Sequence, residues 1–141
     1  MRTQILVPVN DSDASQRTVA TIIAQKERFP VPLTLLHVVN TEQLAYRMIP
    51  DFQLDMVQSR AESAGNALLE KFRRQLADTG ISTTARLEIG NPRKIIPRIA
   101  NDEGFSLLII GRRHSGEIRD VLFGSVANYV LHNVTCPVLL F

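Results

Sequence analysis

Short apolar runs separated by stretches of helical periodicity recur from one end of the chain to the other. This alternation constrains the fold more than any other feature. Ile5-Leu6-Val7-Pro8-Val9, Leu33-Thr34-Leu35-Leu36-His37-Val38-Val39 and Phe105-Ser106-Leu107-Leu108-Ile109-Ile110 are near-continuous apolar runs, the pattern of strands covered on both faces. Ile81, Thr83, Ala85, Leu87 and Ile89 instead alternate with Ser82, Thr84, Arg86 and Glu88, which predicts a strand with one wetter face, nearer a sheet edge. Val134 to Phe141 reads as the last strand. Pro137 within it removes a ladder donor and predicts an edge position.

Helical signals fill the gaps. Ser12 is a candidate N-cap with Asp13 in the first turn, and Val19, Ile22 and Ile23 share one side of a helix expected to reach about Lys26. Pro30 and Pro32 stop it. Asn40 to Pro50 has no clean periodicity and is long for a connection, so a mobile flap is expected there, with Tyr46 and Arg47 placed to cover a ligand. From Asp51 to Thr79, Val57, Ala61, Ala64, Leu68, Phe72 and Leu76 recur every three or four residues, and Gly80 sits where a C-cap glycine belongs. Gly90-Asn91-Pro92 turns the chain into a helix ending near Glu103. Pro92 suits its first position, whereas Pro97 is expected to disturb its early turns. Gly111 to Gly124 is an irregular connection, and Ser125 to Asn133 looks helical. Strand–helix alternation ending on a strand gives a parallel, doubly wound α/β sheet with right-handed crossovers. There is no internal repeat and no linker, so one domain over residues 1–141 is expected.

Composition narrows the function classes. A chain of 141 residues with 45% hydrophobic and 21% charged residues can bury a core without disulfides. No stretch approaches the ~18 uncharged apolar residues of a membrane span, and Met1-Arg2-Thr3-Gln4 runs straight into a strand, with no signal-peptide pattern. A single cysteine, Cys136, fits a reduced, cytoplasmic protein. Sixteen Lys and Arg against fourteen Asp and Glu leave a surplus of two positive charges. A pI near 9.0 is then no footprint for nucleic acid, and neither nucleic acid nor membrane is expected as a partner.

In open α/β sheets ligands bind at the carboxyl ends of strands, where strand order reverses. That points to Val9-Asn10-Asp11-Ser12, Val39-Asn40, Gly90-Asn91 and the Gly111–Ser125 connection. Gly111 ends a buried run and Gly124-Ser125 opens a helix, so free N–H groups, a hydroxyl and the charges of Arg112 and Arg113 can form an anion cradle. The same residues also read as turn glycines, a helix cap and solvated arginines, and residue types alone leave both readings open. Gly111 and Gly116 have the outer spacing of a P-loop, but Glu117-Ile118 stands where Lys-Ser/Thr is required, and no G-x-G-x-x-G follows the first strand. No general base, paired carboxylates or Cys/His cluster is evident, so no catalytic residue and no protein-only metal site is assigned. His37 reads as a packed, hydrogen-bonded histidine, His132 as a helix C-terminal residue, Cys136 as a structural thiol. Ser106 lacks the G-x-S-x-G elbow of a hydrolase.

With these segments in hand, the whole chain resembles a universal stress protein domain. The resemblance rests on ILVPVNDS at Ile5–Ser12, LLHVV at Leu35–Val39, Gly90-Asn91-Pro92, LLIIG at Leu107–Gly111, GRRHSGEIRDVLFGS at Gly111–Ser125 and the closing Cys136-Pro137-Val138-Leu139-Leu140. Members that bind ATP show glycine, two residues, glycine, nine residues, then Gly-Ser/Thr. Gly111, Gly124 and Ser125 match, and His114 stands at the second glycine. Asn10 stands where the family usually has an aspartate.

The resemblance implies five parallel strands in the order 3-2-1-4-5 with helices on both faces. It also implies a cytosolic stress-response regulatory protein binding ATP, ADP or AMP, with Mg2+ able to arrive on the phosphates and at most weak ATP hydrolysis. The implied nucleotide-binding residues are Pro8, Val9, Asn10, Ser12, Val38, Val39, Gly111, Arg112, Arg113, His114, Gly124, Ser125 and Val126. A homodimer through the C-terminal edge strand is implied too, and an unpaired edge gives an independent reason for it. The family also has a branch without ATP binding. The alternative is therefore a dimeric interaction protein in which His114 and Asn10 mark a degenerate site.

Overall fold

The computed structural model describes residues 4–41, 51–111 and 125–141. Most of the expected flap and residues 112–124 of the Gly111–Ser125 connection lie outside the described residues. The elements are β1 (Ile5–Pro8), α1 (Asp13–Ala24), a 3-10 turn (Lys26–Arg28), β2 (Leu33–Asn40), α2 (Asp51–Ala77), β3 (Thr83–Gly90), α3 (Pro92–Asp102), β4 (Leu107–Ile110), α4 (Ser125–Asn133) and β5 (Val138–Leu140). All strand pairs are parallel, in the order β3-β2-β1-β4-β5.

Alternation along each strand splits the core into two layers. Ile5, Val7, Leu33, Leu35 and Ile109 face Val19 and Ile22 of α1 and Leu69, Phe72 and Leu76 of α2. Leu6, Leu36, Leu108 and Ile110 face Ile95, Ile96 and Ile99 of α3 and Val130 of α4. The three near-continuous apolar runs are therefore the three inner strands, and the alternating run, β3, is an edge. Ser106 ties the opposite end of the sheet: its hydroxyl donates to the Gln4 carbonyl at 2.9 Å and accepts from the Gln4 amide at 3.0 Å.

The caps follow the local chemistry. Ser12 is extended and its hydroxyl accepts from the Ser15 amide, so it caps α1 as expected. At the end of α2, Gly80 adopts φ 85°. The Ile81 amide then reaches back to the Leu76 carbonyl at 3.0 Å and the Gly80 amide to Ala77 at 2.9 Å. Ile81 and Leu76 are both buried beside this cap, which completes the hydrophobic closure of a Schellman motif.

Several expectations are corrected. The α1 helix stops at Ala24 rather than Lys26, because the chain tightens into the 3-10 turn before Pro30. Ala64 is exposed, with Gly65 buried in its place, while Phe72 and Leu76 are buried as expected, Leu68 packs against the core and Leu69 joins them. Pro97 does not break α3, which stays helical through Asp102 with the proline ring buried. The last strand is three residues long, and Pro137 precedes it. Its carbonyl accepts from the Leu108 amide at 3.0 Å. The edge position itself holds. Phe141 closes the chain edge-to-face against Phe29, with ring centroids 6.2 Å apart. Among the described residues, no helix is long and apolar enough to cross a membrane.

Phe72 is 1% exposed. Phe72→Ala should remove about 3–5 kcal/mol of stability, lowering the thermal midpoint by about 10 °C, as read by circular dichroism. Arg86 on β3 bonds Glu88 at 2.9 Å and Glu103, just past α3, at 2.6 Å. The guanidinium holds the Glu103 carboxyl below its usual range. A depressed carboxylate stabilises the fold above its ordinary titration range, and the gain is lost as pH falls through the folded value. Arg86→Met should therefore cost up to about 1 kcal/mol at neutral pH. The gap should close as acid protonates Glu103, as measured by urea titrations from neutral to acid pH.

Candidate functional site

Strand order reverses at β1. The chain leaves β1 and β2 through helices on one face and β3 and β4 through helices on the other. The crossovers diverge between β1 and β4, and a cleft of about 630 Å³ opens at the strand carboxyl ends. Of the residues expected there, Pro8, Val9, Asn10, Ser12, Val38, Val39, Gly111 and Val126 line it. Ser125 begins α4. Arg112, Arg113, His114 and Gly124 lie outside the described residues.

The floor depends on how β1 ends. Its ladder with β2 closes at Pro8–Leu36, and the Val9 amide donates to the Leu36 carbonyl at 2.8 Å. The next acceptor, the Val9 carbonyl, is met by a side chain: His37 Nδ1 lies 2.9 Å from it. A carbonyl only accepts, so Nδ1 carries the proton. Main-chain groups of β2 alternate in direction. The Leu33 amide turns toward β3, to the Ser82 carbonyl, and the Leu36 carbonyl turns toward β1. By the two-residue repeat, the Val38 N–H and C=O also turn toward β1, beyond its end, where the cleft lies. His37 is packed and hydrogen-bonded as expected, but it also lines the cleft, which sequence reasoning did not anticipate.

The wall at the start of α1 is a closed polar network. The Asn10 amide N–H donates to Ser15 Oγ at 2.8 Å, and the Ser15 amide to Ser12 Oγ at 3.2 Å. Both hydroxyls in turn donate to Asn10 Oδ1, Ser15 at 3.0 Å and Ser12 closer still. Ser15, 7% exposed, was missed at the sequence level. Its signal is a serine in the first helical turn, three residues past the cap.

Two glycines bring helices close to the site. A Cβ on Gly111 would stand 2.3 Å from Thr18 Oγ1 and 2.7 Å from the Ala14 carbonyl oxygen. A Cβ on Gly65 would stand 2.7 Å from His37 Cδ2. Gly111 is therefore required by the approach of α1 to the end of β4, and Gly65 by that of α2 to the histidine. Elsewhere, Cys136 packs against the layer formed by α3 and α4. Burial pushes its thiol up, which suits a structural role. Among the described residues, no group of three His, Cys, Asp or Glu could hold a metal ion.

The model of the universal stress protein family matches residues 1–141. The chain belongs to that family. It is 26% identical over 146 residues to universal stress protein YxiE of Bacillus subtilis, covering 99% of each chain. It is 25% identical over 153 residues to universal stress protein MJ0577 of Methanocaldococcus jannaschii, covering 99% of this chain and 94% of that one. The solved structure of MJ0577 superposes with a TM-score of 0.82 at 24% identity, over 99% of this chain and 95% of that one. Other universal stress protein structures with the same fold carry nucleotides. One from Arabidopsis thaliana has AMP bound (TM-score 0.71, 22% identity, 99% and 90% covered). A second is in complex with cAMP (TM-score 0.70, 18% identity, 99% and 96% covered). One from Archaeoglobus fulgidus is in complex with dAMP (TM-score 0.64, 20% identity, 98% and 96% covered).

Gly111→Ala should cost about 1–3 kcal/mol, because one of the two clashing partners is backbone and cannot swing away. Urea unfolding measures it. A midpoint equal to that of the parent would mean that α1 is free to retreat from β4.

Proposed function

We propose that this universal stress protein binds an adenine nucleotide in the cleft between β1 and β4 as a regulatory ligand. The observation that carries the reading is the end of β1: with the Val9 carbonyl met by His37, the Val38 N–H and C=O turn toward the cleft side by side. Adenine offers the matching pair along its Watson–Crick edge, an acceptor nitrogen beside the exocyclic amino donor. Guanine reverses that order. Val9, Val39, Ile96 and Val130 supply apolar walls for a base, and a volume of about 630 Å³ suits a mononucleotide. The AMP, cAMP and dAMP complexes of relatives with this fold support the same ligand class.

In this reading the base lies against Val38 and Val39, with Pro8, Val9, Asn10 and Ser12 beneath the nucleoside. Gly111, Arg112, Arg113, His114, Gly124, Ser125 and Val126 hold the phosphates of ATP, ADP or AMP. The helix start at Ser125 supplies main-chain N–H groups for that purpose. Pairing of two copies along β5 forms the homodimer, since Val138, Leu139 and Leu140 are all half-buried at a sheet edge. Its one cysteine supports a place in a reducing compartment such as the cytoplasm. No catalytic step is assigned.

Thermal unfolding with and without nucleotide tests the reading. A ligand at ~100 times its Kd adds about 2.7 kcal/mol, so ATP or AMP should raise the midpoint by roughly 5 °C or more, while GTP should leave it near the apo value. No shift at millimolar ATP, ADP and AMP would leave a dimeric interaction protein with a degenerate site as the better account.

A further inference from the structure

The long helix α2 is held along only half its length. Among its described residues the buried ones are Gly65, Leu69, Phe72 and Leu76, all in the second half. Glu70 pairs with Arg73 at 2.6 Å and with Arg74 at 3.0 Å in that same half. Over residues 53–64 none is buried, and Met56 is 57% exposed. A helical stretch of this length keeps little stability in water when little of it is packed. Ser63-Ala64-Gly65-Asn66 joins the halves. Serine, glycine and asparagine are all poor helix formers, so the junction has low helix propensity. The same glycine is where the helix bears on the sheet. A Cβ there would stand 2.7 Å from His37 Cδ2 and 2.9 Å from Leu87 Cδ1.

The lightly held half reaches the cleft. Ala61, one turn before Gly65, lines it beside His37. The other walls are anchored, since Ser15, Ile96, Ile110 and Val130 are all buried. Ala61 instead belongs to a segment with no buried residue. A molecule seated against Ala61 covers part of the inner face of that segment and adds packing that the chain itself does not supply. We propose that the first half of α2 is the responsive wall of the cleft: occupancy holds residues 53–64 in place about a fulcrum at Gly65, so the outer face of this half reports whether the cleft is filled. The fulcrum bears on His37 of β2 and Leu87 of β3, while the second half stays seated through Leu69, Phe72 and Leu76. By linkage, anything that steadies the outer face of residues 53–64 also favours the ligand. The inference rests on the nucleotide reading for its ligand and goes beyond it by naming the element that carries the response.

Amide hydrogen exchange of the full chain, free and with AMP, tests this without any substitution, and calorimetry follows binding independently. In the free protein, amides of residues 55–64 should exchange about tenfold or more faster than those of residues 66–76, because a lightly packed half opens without the rest. AMP at ~100 times its Kd should then slow residues 55–64 by about tenfold or more, the limit being the ~100-fold of an opening that releases the ligand. The 3-10 turn Lys26–Arg28 is the control. It lies off the cleft, with Lys26 Nζ donating to the Thr79 carbonyl at 3.3 Å, and its exchange should not change. Equal exchange in the two halves of α2 overturns the inference, because the helix then opens as one unit. So does AMP that binds by calorimetry yet leaves residues 55–64 as fast as before, or that slows them and the turn by the same factor. In both of those cases nucleotide binding stands. Flat calorimetric titrations with AMP, ADP and ATP overturn the nucleotide reading itself, and the inference with it.

Discussion

The hydrogen bond from the His37 ring to the Val9 carbonyl determines the shape of everything at the carboxyl end of the sheet. A parallel ladder normally continues until one strand turns away and its last carbonyl finds water. Here a side chain from the neighbouring strand closes the account of β1 at 2.9 Å, in a half-buried place where an unmet carbonyl would cost about 1–3 kcal/mol. The chain is then free to turn at Asn10 without carrying an orphaned group into the protein. The main chain of β2 runs on to Asn40 against β3, and the Val38 groups turn toward the space beyond β1. The cleft is thus the space left where β1 and β4 end level with one another while β2 runs on past them.

Holding that space open requires helices on both sides to come close without filling it, and glycine is how the chain does so. At Gly111 the first turns of α1 lie so near the end of β4 that even a methyl group would overlap backbone. At Gly65 the long α2 lies over the ring of His37, which keeps that ring in the orientation the Val9 carbonyl needs. Packing, hydrogen bonding and the location of the cleft are therefore one arrangement. A change at Gly65 would be felt at Val9, which it does not touch, through the histidine between them.

Much of this was legible in the residues, and the remainder failed for definable reasons. The inner strands could be recognised because they are covered on both faces and read as unbroken apolar runs, while Ile81–Ile89 alternates because it lies at an edge. Ser12 as a cap and Pro92 at a first helical position depend only on neighbours in sequence, and both hold. Pro97 misled, because a helix can keep a proline whose ring is buried against its neighbours. Pro137 correctly marked an edge strand, although it lies one residue before that strand begins. Ala64 was placed on the buried face of α2 because a period of three or four residues does not by itself resolve adjacent positions over 27 residues. The strand-end residues of the site were found from topology, since the location of a switch point follows from strand order. Ser15 and the cleft-lining role of His37 were not found, because each matters through a partner that is not its neighbour in the pattern.

The polar wall at Asn10 also separates what the fold supplies from what this chain adds. The fold supplies a crevice, a helix start and a main-chain edge, and it would do so for almost any side chain at that position. At this wall the chain adds a neutral cluster: the hydroxyls of Ser12 and Ser15 both lie within hydrogen-bond reach of Asn10 Oδ1, and each also accepts from a backbone amide. Asparagine, unlike aspartate, brings no fixed negative charge to the end of β1, so the polarity of the wall is set by hydrogen bonding and not by a carboxylate.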